Sequence, residues 1–255
     1  AAPASITGDL ATTSDLGISN LDHITSDNTP TITGNGATPG DTVTLYMPDG
    51  TTVLGTAVVA FDGSWSITPT GTLMDAAYTG ANALQVTATD PAGNVSGPTP
   101  VSVTVDTTAP DAPGTLAVPE NAGGGVNASE VISGGGVPVS VPLSGTGAAA
   151  GDVVTLTVDD PTTNTPISVT YTLTAADITN GSANVLVPTA NIPVDGTYNL
   201  SATITDAAGN TGNPSTGSFT VDMTAPSGQT GGLDATSDTG ITGDNKTQDN
   251  TPALS

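Results

Sequence analysis

The chain repeats itself at a fixed offset, and that restricts it to folds built from copies of one module. Ala2-Pro3 stands 223 residues before Ala225-Pro226. The same offset places Thr7-Gly8 on Thr230-Gly231, Leu10 on Leu233, and Ser14-Asp15-x-Gly17-Ile18 on Ser237-Asp238-x-Gly240-Ile241. After one residue of slippage, Asp22-x-x-Thr25-x-Asp27-Asn28-Thr29-Pro30 falls on Asp244-x-x-Thr247-x-Asp249-Asn250-Thr251-Pro252. Two stretches, Asp106-Thr107-Thr108-Ala109-Pro110 and Asp222-Met223-Thr224-Ala225-Pro226, mark the seams. A copied stretch carries the same turns and apolar positions, so each copy folds alike. The expected organisation is a type A module over 1–107, a variant type B module over 108–224, and the start of another A over 225–255. Ala1-Ala2-Pro3 reads as interior sequence of a longer chain and not as a signal peptide.

Within a module the apolar pattern has the period of a strand. Leu84, Val86 and Ala88 alternate with Gln85, Thr87 and Thr89, and Val101, Val103 and Val105 alternate with Ser102 and Thr104. Strands are predicted over 30–34, 42–47, 52–60, 64–68, 83–89 and 101–106 in A. Module B repeats the plan over 137–144, 152–159, 167–174, 183–187, 196–205 and 218–222, with Tyr198, Leu200, Ala202 and Ile204 facing inward. Asp49-Gly50 and Asp62-Gly63 are hairpin turns, because glycine accepts the positive φ that tight turns demand. Short strands at this density predict an all-β fold of tandem Greek-key β-sandwiches. Trp65 and Phe61 are expected in the core of A, and Tyr171 and Tyr198 at core positions of B.

Charge narrows the function. Asp and Glu number 24 against one basic residue, Lys246, for a formal charge of −23. These acids cannot all find cationic side chains, so they are either solvated or neutralised by bound cations. Nucleic acid and anionic membrane surfaces are poor partners at this charge, and no nucleic-acid binding is expected. There is no Cys, hence neither a disulfide nor a thiolate metal site. No apolar run reaches membrane-spanning length, so no direct membrane insertion is expected.

The acids cluster at the seams. Asp106 and Asp222 each follow, by sixteen residues, a matching loop: Asp90-Pro91-Ala92-Gly93-Asn94 and Asp206-Ala207-Ala208-Gly209-Asn210. An acid in a loop, a strand's length of chain and an acid at a junction suggest modules joined through something that binds carboxylates.

Five motifs then occur in order: Thr29-Pro30-Thr31-Ile32-Thr33-Gly34, Gly40-Asp41-Thr42-Val43-Thr44-Leu45-Tyr46, Gly63-Ser64-Trp65-Ser66, Thr87-Ala88-Thr89-Asp90-x-Ala92-Gly93-Asn94 and Val105-Asp106-Thr107-Thr108-Ala109-Pro110. They resemble the bacterial immunoglobulin-like repeats of giant surface adhesins, of biofilm-associated and repeats-in-toxin types. Module B looks like a sister repeat through Gly151-Asp152-Val153-Val154-Thr155-Leu156, Thr205-Asp206-Ala207-Ala208-Gly209-Asn210 and Val221-Asp222-x-Thr224-Ala225-Pro226. The resemblance implies extender modules at the surface of a bacterium, secreted and monomeric, stiffened by Ca²⁺ at module junctions and partnered by neighbouring repeats of the same chain.

Ca²⁺ takes six to eight oxygen ligands. Asp106, with Asp90 and Asn94, is expected to serve the first seam, and Asp222, with Asp206 and Asn210, the second. Asp15 and Asp22, repeated as Asp238 and Asp244, are the expected ligands from an incoming A module. The competing reading is that Asp-x-x-Gly-Asn only closes an Asx turn. Sister repeats carry a calcium loop ending in Glu near 119–130; here Pro119 and Gly123 replace two of its acids, leaving Glu120 and Glu130 as oxygen donors of a degenerate site.

No enzyme is expected. Asp238-Thr239-Gly240 matches the aspartic-protease triplet, yet its repeat is Asp15-Leu16-Gly17. His23 is the one histidine, and its repeat position holds Asn245. Without Cys, Arg or a second His, most nucleophile constellations cannot be assembled. The alternative to a spacer is a binding module in which the longer loops of B, 159–166 and 175–182, contact a glycan or protein; an ice-binding face ranks below it, since no regular Thr-x-Thr ladder recurs.

Overall fold

The structure is a computed structural model that describes all residues except 164, 228–230, 238, 240, 242–247, 249, 252, 254 and 255. Its residues form two compact units, Ala1–Asp222 and Met223–Ser255. The strands of the first unit are β1 (Asp9–Leu10), β2 (Ile24–Thr25), β3 (Ile32–Gly34), β4 (Thr42–Tyr46), β5 (Val53–Val58), β6 (Trp65–Ile67), β7 (Ala76–Tyr78), β8 (Leu84–Thr89), β9 (Thr99–Val101) and β10 (Val103–Val105). They continue with β11 (Val126–Asn127), β12 (Gly136–Pro142), β13 (Val153–Asp159), β14 (Pro166–Thr172), β15 (Ser182–Pro188), β16 (Gly196–Thr205) and β17 (Ser215–Asp222). Two short helices, α1 (Ala128–Ile132) and α2 (Ala175–Asn180), interrupt the second half.

Strands β1–β10 build the first sandwich from sheets ordered β1-β3-β6, β2-β10-β7 and β5-β4-β8-β9. Strands β11–β17 build the second from sheets ordered β11-β17-β16-β13-β14 and β12-β15. The alternation read from the sequence puts one face of each strand inside. Leu84, Val86, Ala88, Val101, Val103 and Val105 are buried with Ile32, Val43, Leu45 and Trp65. In the second sandwich Tyr198, Leu200, Ala202 and Ile204 are buried. The Tyr198 and Phe219 rings stack with centroids 5.3 Å apart and planes 13° from parallel.

Four elements differ from the sequence reading. Phe61 is 98% exposed. It sits at a hairpin tip closed by the Gly63 N–H to Ala60 O bond and by Asp62, which accepts from the Ser64 N–H and hydroxyl. A residue at such a tip has no sheet behind it. Tyr171 is half-buried, because β14 is an edge strand, and its hydroxyl donates to Asp177 Oδ2 at 3.0 Å. Most of 175–182 is helix α2, started by a Thr174/Asp177 capping box and stopped at Gly181, φ 71°. Helix α1 has an equivalent box, Asn127 with Glu130. Helices of five or six residues carry too few apolar positions to show a 3.6-residue period, so only their caps announce them.

Among the described residues of the second unit, Asp234 N donates to Ala253 O, Ser237 N to Asp234 O, and Ala253 N to Ser237 Oγ. The first unit makes the same three bonds at Ala11–Thr31, Ser14–Ala11 and Thr31–Ser14. The repeated sequence thus starts the same local structure.

Replacing fully buried Leu45 with Ala is expected to cost about 2–5 kcal/mol. Phe61→Ser is expected to change stability by no more than about 0.5 kcal/mol. Urea unfolding of both variants checks this, and equal losses would overturn the assignment of the core.

Candidate functional site

The last two strands of each sandwich decide where its acids go. Strand β8 runs antiparallel to β9, with Leu84 beside Val101 and Val86 beside Thr99, and the bridge Thr89–Val95 lies at the loop end. The chain then travels from Asp90 back along the sandwich to Val105, which pairs with Ala76 and Thr25 at the other end. At about 3.3 Å per residue, the path from Val95 is up to roughly 30 Å long. Asp90 and Asp106 therefore lie at opposite poles of one sandwich, and Asp206 and Asp222 repeat the arrangement around β16 and β17. The spacing of sixteen that suggested a shared site is the length of a return strand, which separates the two acids.

Asp106 instead meets the loop of the following sandwich. Asn210 Nδ2 donates to the Asp106 carbonyl at 2.8 Å and to Asp206 Oδ2 at 2.9 Å, while the Asn210 N–H donates to Asp206 Oδ1 at 2.9 Å. The linker lies along this loop. Asp111 N donates to Thr146 O at 2.8 Å, and a Cβ on Gly212 would stand 2.2 Å from Pro110 O. Between the surfaces is a cleft of about 590 Å³ that includes Asp106, Thr108, Asp111, Thr146, Asp152 and Asp206 in its lining. Asp152 is 5% exposed and Asp206 8%. Asp152 Oδ2 accepts from Ala149 N at 2.8 Å, and its carboxylate also accepts from the Ala207 N–H.

A second contact is made by the turn that carries Asp15. Fully buried Thr25 holds it: its hydroxyl donates to Ser14 O and accepts from Leu16 N and Asp27 N. The Thr25 carbonyl accepts from Asp106 N at 2.9 Å, tying turn and seam acid together. The turn then reaches the second sandwich, where Ile18 N donates to Ala207 O at 3.1 Å. A Cβ on Gly17 would lie 2.2 Å from Ala207 O, and one on Gly209 would lie 2.9 Å from Gly17 Cα. The two glycines, with φ of 137° and 89°, allow backbone to pack on backbone.

The remaining sequence candidates fall as follows. Asp90 accepts from Ala92 N, Asn94 N and Asn94 Nδ2, as an Asx-type turn does, and its carboxyl is held below the usual value first by the Asn94 side-chain bond. Asp22 is exposed and accepts from Ile24 N. Glu130 spends one oxygen on Asn127 N as the helix cap, while buried Glu120 Oε2 has no partner. Asp222 closes β17 beside Asn127. Asp238 and Asp244 lie outside the described residues. The sequence reading passed over Asp152 and its counterpart Asp41, which is 3% exposed, although the repeated Gly-Asp-x-Val-Thr-Leu pattern marks both. It also passed over Asp75, whose carboxylate accepts from Thr107 N, Thr107 Oγ1 and Thr108 Oγ1 and so pins the outgoing linker.

Electrostatics single out two of these acids. Burial, with Asp206 and Asp106 adding repulsion, pushes the Asp152 carboxyl above its usual value against the hydrogen bonds it accepts. Burial also raises Asp15, helped by Asp22 and Asp9; its Oδ1 is buried without a partner, while Oδ2 accepts from His23 N at 3.3 Å. The one nearby imidazole, His23, contacts Asp9 at 2.8 Å instead. Among the described residues, no three acidic or histidine side chains converge closely enough to form a metal cage. The seam offers hard oxygen donors that repel one another, which suits a divalent cation completed by carbonyls and water.

A family model for bacterial Ig-like domains matches residues 2–107 and 140–223. No curated protein matches the chain. Among solved structures, it is similar to the Ca²⁺-stabilized adhesin with which an Antarctic bacterium binds ice, at 30% identity over 92% of this chain and 53% of that one, TM-score 0.43. It is similar to a structure from a 1.5-MDa bacterial ice-binding adhesin at 28% identity, covering 88% of this chain and 66% of that one, TM-score 0.37. An immunoglobulin-like domain of the M. primoryensis ice-binding adhesin aligns at 32% identity over 45% of this chain and all of that one (100%), TM-score 0.29. The chain thus spans between half and two thirds of the length of the first two.

Two outcomes follow from this geometry. Gly93 and Gly209 share a positive φ, but a Cβ on Gly93 would meet nothing within 4 Å. Gly93→Ala is expected to cost about 1–2 kcal/mol of backbone strain. Gly209→Ala is expected to cost about 1–3 kcal/mol more, the overpacking term; equal losses in denaturant unfolding would remove the seam contact. Asp152 has a raised folded pKa, so its contribution is fully present below the ordinary value of 3.8 and is lost as pH rises through the folded value. Asp152→Asn should therefore stabilise the metal-free protein at neutral pH and flatten its stability–pH profile between those limits. A destabilised, equally pH-dependent variant would refute this.

Proposed function

The chain belongs to the bacterial Ig-like domain family, and from that premise we propose that it is a length of spacer in a secreted bacterial surface adhesin. Its modules, 1–107, 108–224 and the beginning of a further one over 225–255, are joined end to end, and Ca²⁺ at the joints stiffens the string. The observation that carries this reading is the cleft where Asp106 of one sandwich meets Asp152 and Asp206 of the next without a cationic side chain among the lining residues. Asp152 and Asp206 would supply the first carboxylates, and main-chain carbonyls and water would complete the shell. Asp106, which does not converge with them into a three-acid cage, would add charge from across the cleft, with Asn210 orienting Asp206 and steadying the Asp106 carbonyl. The bound ion supplies positive charge that offsets the mutual repulsion of these carboxylates. Asp15, tied to Asp106 through Thr25, is a further oxygen donor beside the same seam.

By repetition, Asp41, Asp90 and Asn94 present the same groups at the opposite pole of the first sandwich. The ligand reading extends by sequence to Asp222, Asp238 and Asp244. The partners are neighbouring repeats and calcium, the chain acts as a monomer, and it performs no catalysis.

Extracellular calcium sites work at about 10⁻⁴–10⁻³ M. A tenfold excess of ion over its dissociation constant stabilises the bound state by about 1.4 kcal/mol per site. Addition of millimolar Ca²⁺ to the metal-free chain is expected to raise the unfolding temperature and lengthen the maximum dimension in small-angle scattering, and EDTA to reverse both. Asp106→Asn with Asp206→Asn should abolish the response. Scattering profiles that superpose with and without calcium would refute the stiffening role.

A further inference from the structure

The sequence contains two Asn-Gly pairs, Asn35-Gly36 and Asn180-Gly181. This dipeptide undergoes a self-contained reaction when its backbone is free to bend. The amide nitrogen of the glycine attacks the asparagine side-chain carbonyl carbon, a new N–C bond forms, and ammonia leaves. Water then opens the resulting succinimide at either carbonyl, giving aspartate or its backbone-extended isomer, isoaspartate. No oxidant, metal or enzyme is needed. The attacking nitrogen must, however, be released from hydrogen bonds and brought behind the asparagine side chain.

The two pairs differ in that respect. Asn180 ends helix α2, and the Gly181 N–H donates to Asp177 O and Ile178 O as the helix cap. Asn35 is exposed and follows the end of β3. Gly36 has φ 80° with open space where a Cβ would be, and its N–H makes no backbone bond among the described residues. We propose that Asn35 is a site of spontaneous deamidation in the folded protein and that Asn180 is protected by its cap. The product is consequential because of where it forms. Asn35 adjoins Gly34, whose Cα is packed so tightly that a Cβ would lie 2.1 Å from Thr7 O and 2.5 Å from the Trp65 ring. Asn35 also lines a cleft with Asp9, so conversion places a new carboxylate near an existing one, and the isoaspartyl form adds a backbone carbon at the end of a strand that covers Trp65.

Incubation of the intact chain at mildly alkaline pH and 37 °C, followed by peptide mass mapping and isoaspartyl methyltransferase labelling, tests the proposal. Conversion at Asn35 is expected to run at least about tenfold faster than at Asn180, the factor that 1.36 kcal/mol of extra opening free energy produces. Gly36→Ala should slow it, and Asn35→Gln should remove the label while leaving the fold intact by circular dichroism. Equal rates at the two pairs, or an unmodified Asn35 when Asn180 has reacted, would overturn the proposal. So would an Asn35 that reacts only in denaturant.

Discussion

A carboxylate that cannot find a cation must be satisfied by N–H and O–H groups, and the structure is built around that constraint. With 24 acids against one lysine and one histidine, ion pairing can serve only a few of them. Most turn aspartates solve the problem locally with a threonine, serine or asparagine a few residues away. Asp49 accepts from Thr51 N, Thr52 N and Thr52 Oγ1, which hold its carboxyl down at about 2. Asp62 with Ser64, Asp160 with Thr162 and Thr163, Asp177 with Thr174 and Asp234 with Thr236 follow the same plan, and all are lowered. Asp75 uses the device across 32 residues of chain to fix the linker. In each, the hydrogen bonds favour the ionised carboxylate. Asp15 and Asp152 belong to the other class: burial raises them, and their neighbours include further acids. Both of these acids lie beside the seam, where their charge is disfavoured.

Two physically different restraints act at that joint. The contact of Gly17 with Ala207 and Gly209 is steric and indifferent to ions, as is the bond from Asn210 to the Asp106 carbonyl. A repulsion works against that contact, because Asp206 and Asp106 both disfavour an ionised Asp152. A cation placed there would remove a repulsion as much as it adds an attraction, and its effect would be largest at low ionic strength, where exposed charges are least screened.

The sequence made the strands and their buried faces legible because period-2 alternation survives wherever one sheet face is covered. The alternation from Tyr198 to Ile204 is reproduced residue by residue, and that from Leu84 to Thr89 at every position but Thr87, which is buried as well. It could not reveal β1, β2, β7 and β11, two or three residues long and defined by their partners, nor helices that depend on one capping box each. The site was half legible. The repeat identified Asp106, Asp206 and Asn210, yet pairing them needed the direction of the last strand, which sequence distance alone does not supply. Asp152 was visible as a repeated residue and unremarkable as a ligand, because a Gly-Asp at a strand start reads as turn chemistry. Thr25 carried no signal beyond recurrence at Thr247, since a hydroxyl becomes a hinge post only when the fold buries it.

The placement of loop and seam acids at opposite poles has a consequence for how such an array transmits force. The first sandwich brings Asp106 to the seam and the second brings its Asp206-Ala207-Ala208-Gly209-Asn210 loop, so the acids there are shared between two sandwiches and held together by neither alone. The hydrogen-bonded strands of each sandwich separate its two poles. Rotation about a joint must break contacts on both members while leaving each core untouched. The first sandwich buries Trp65, Leu45 and Val103 in its core. Bending at the seam and unfolding of a core therefore draw on different contacts, the backbone and side-chain bonds of the joint in one case and the buried apolar faces in the other.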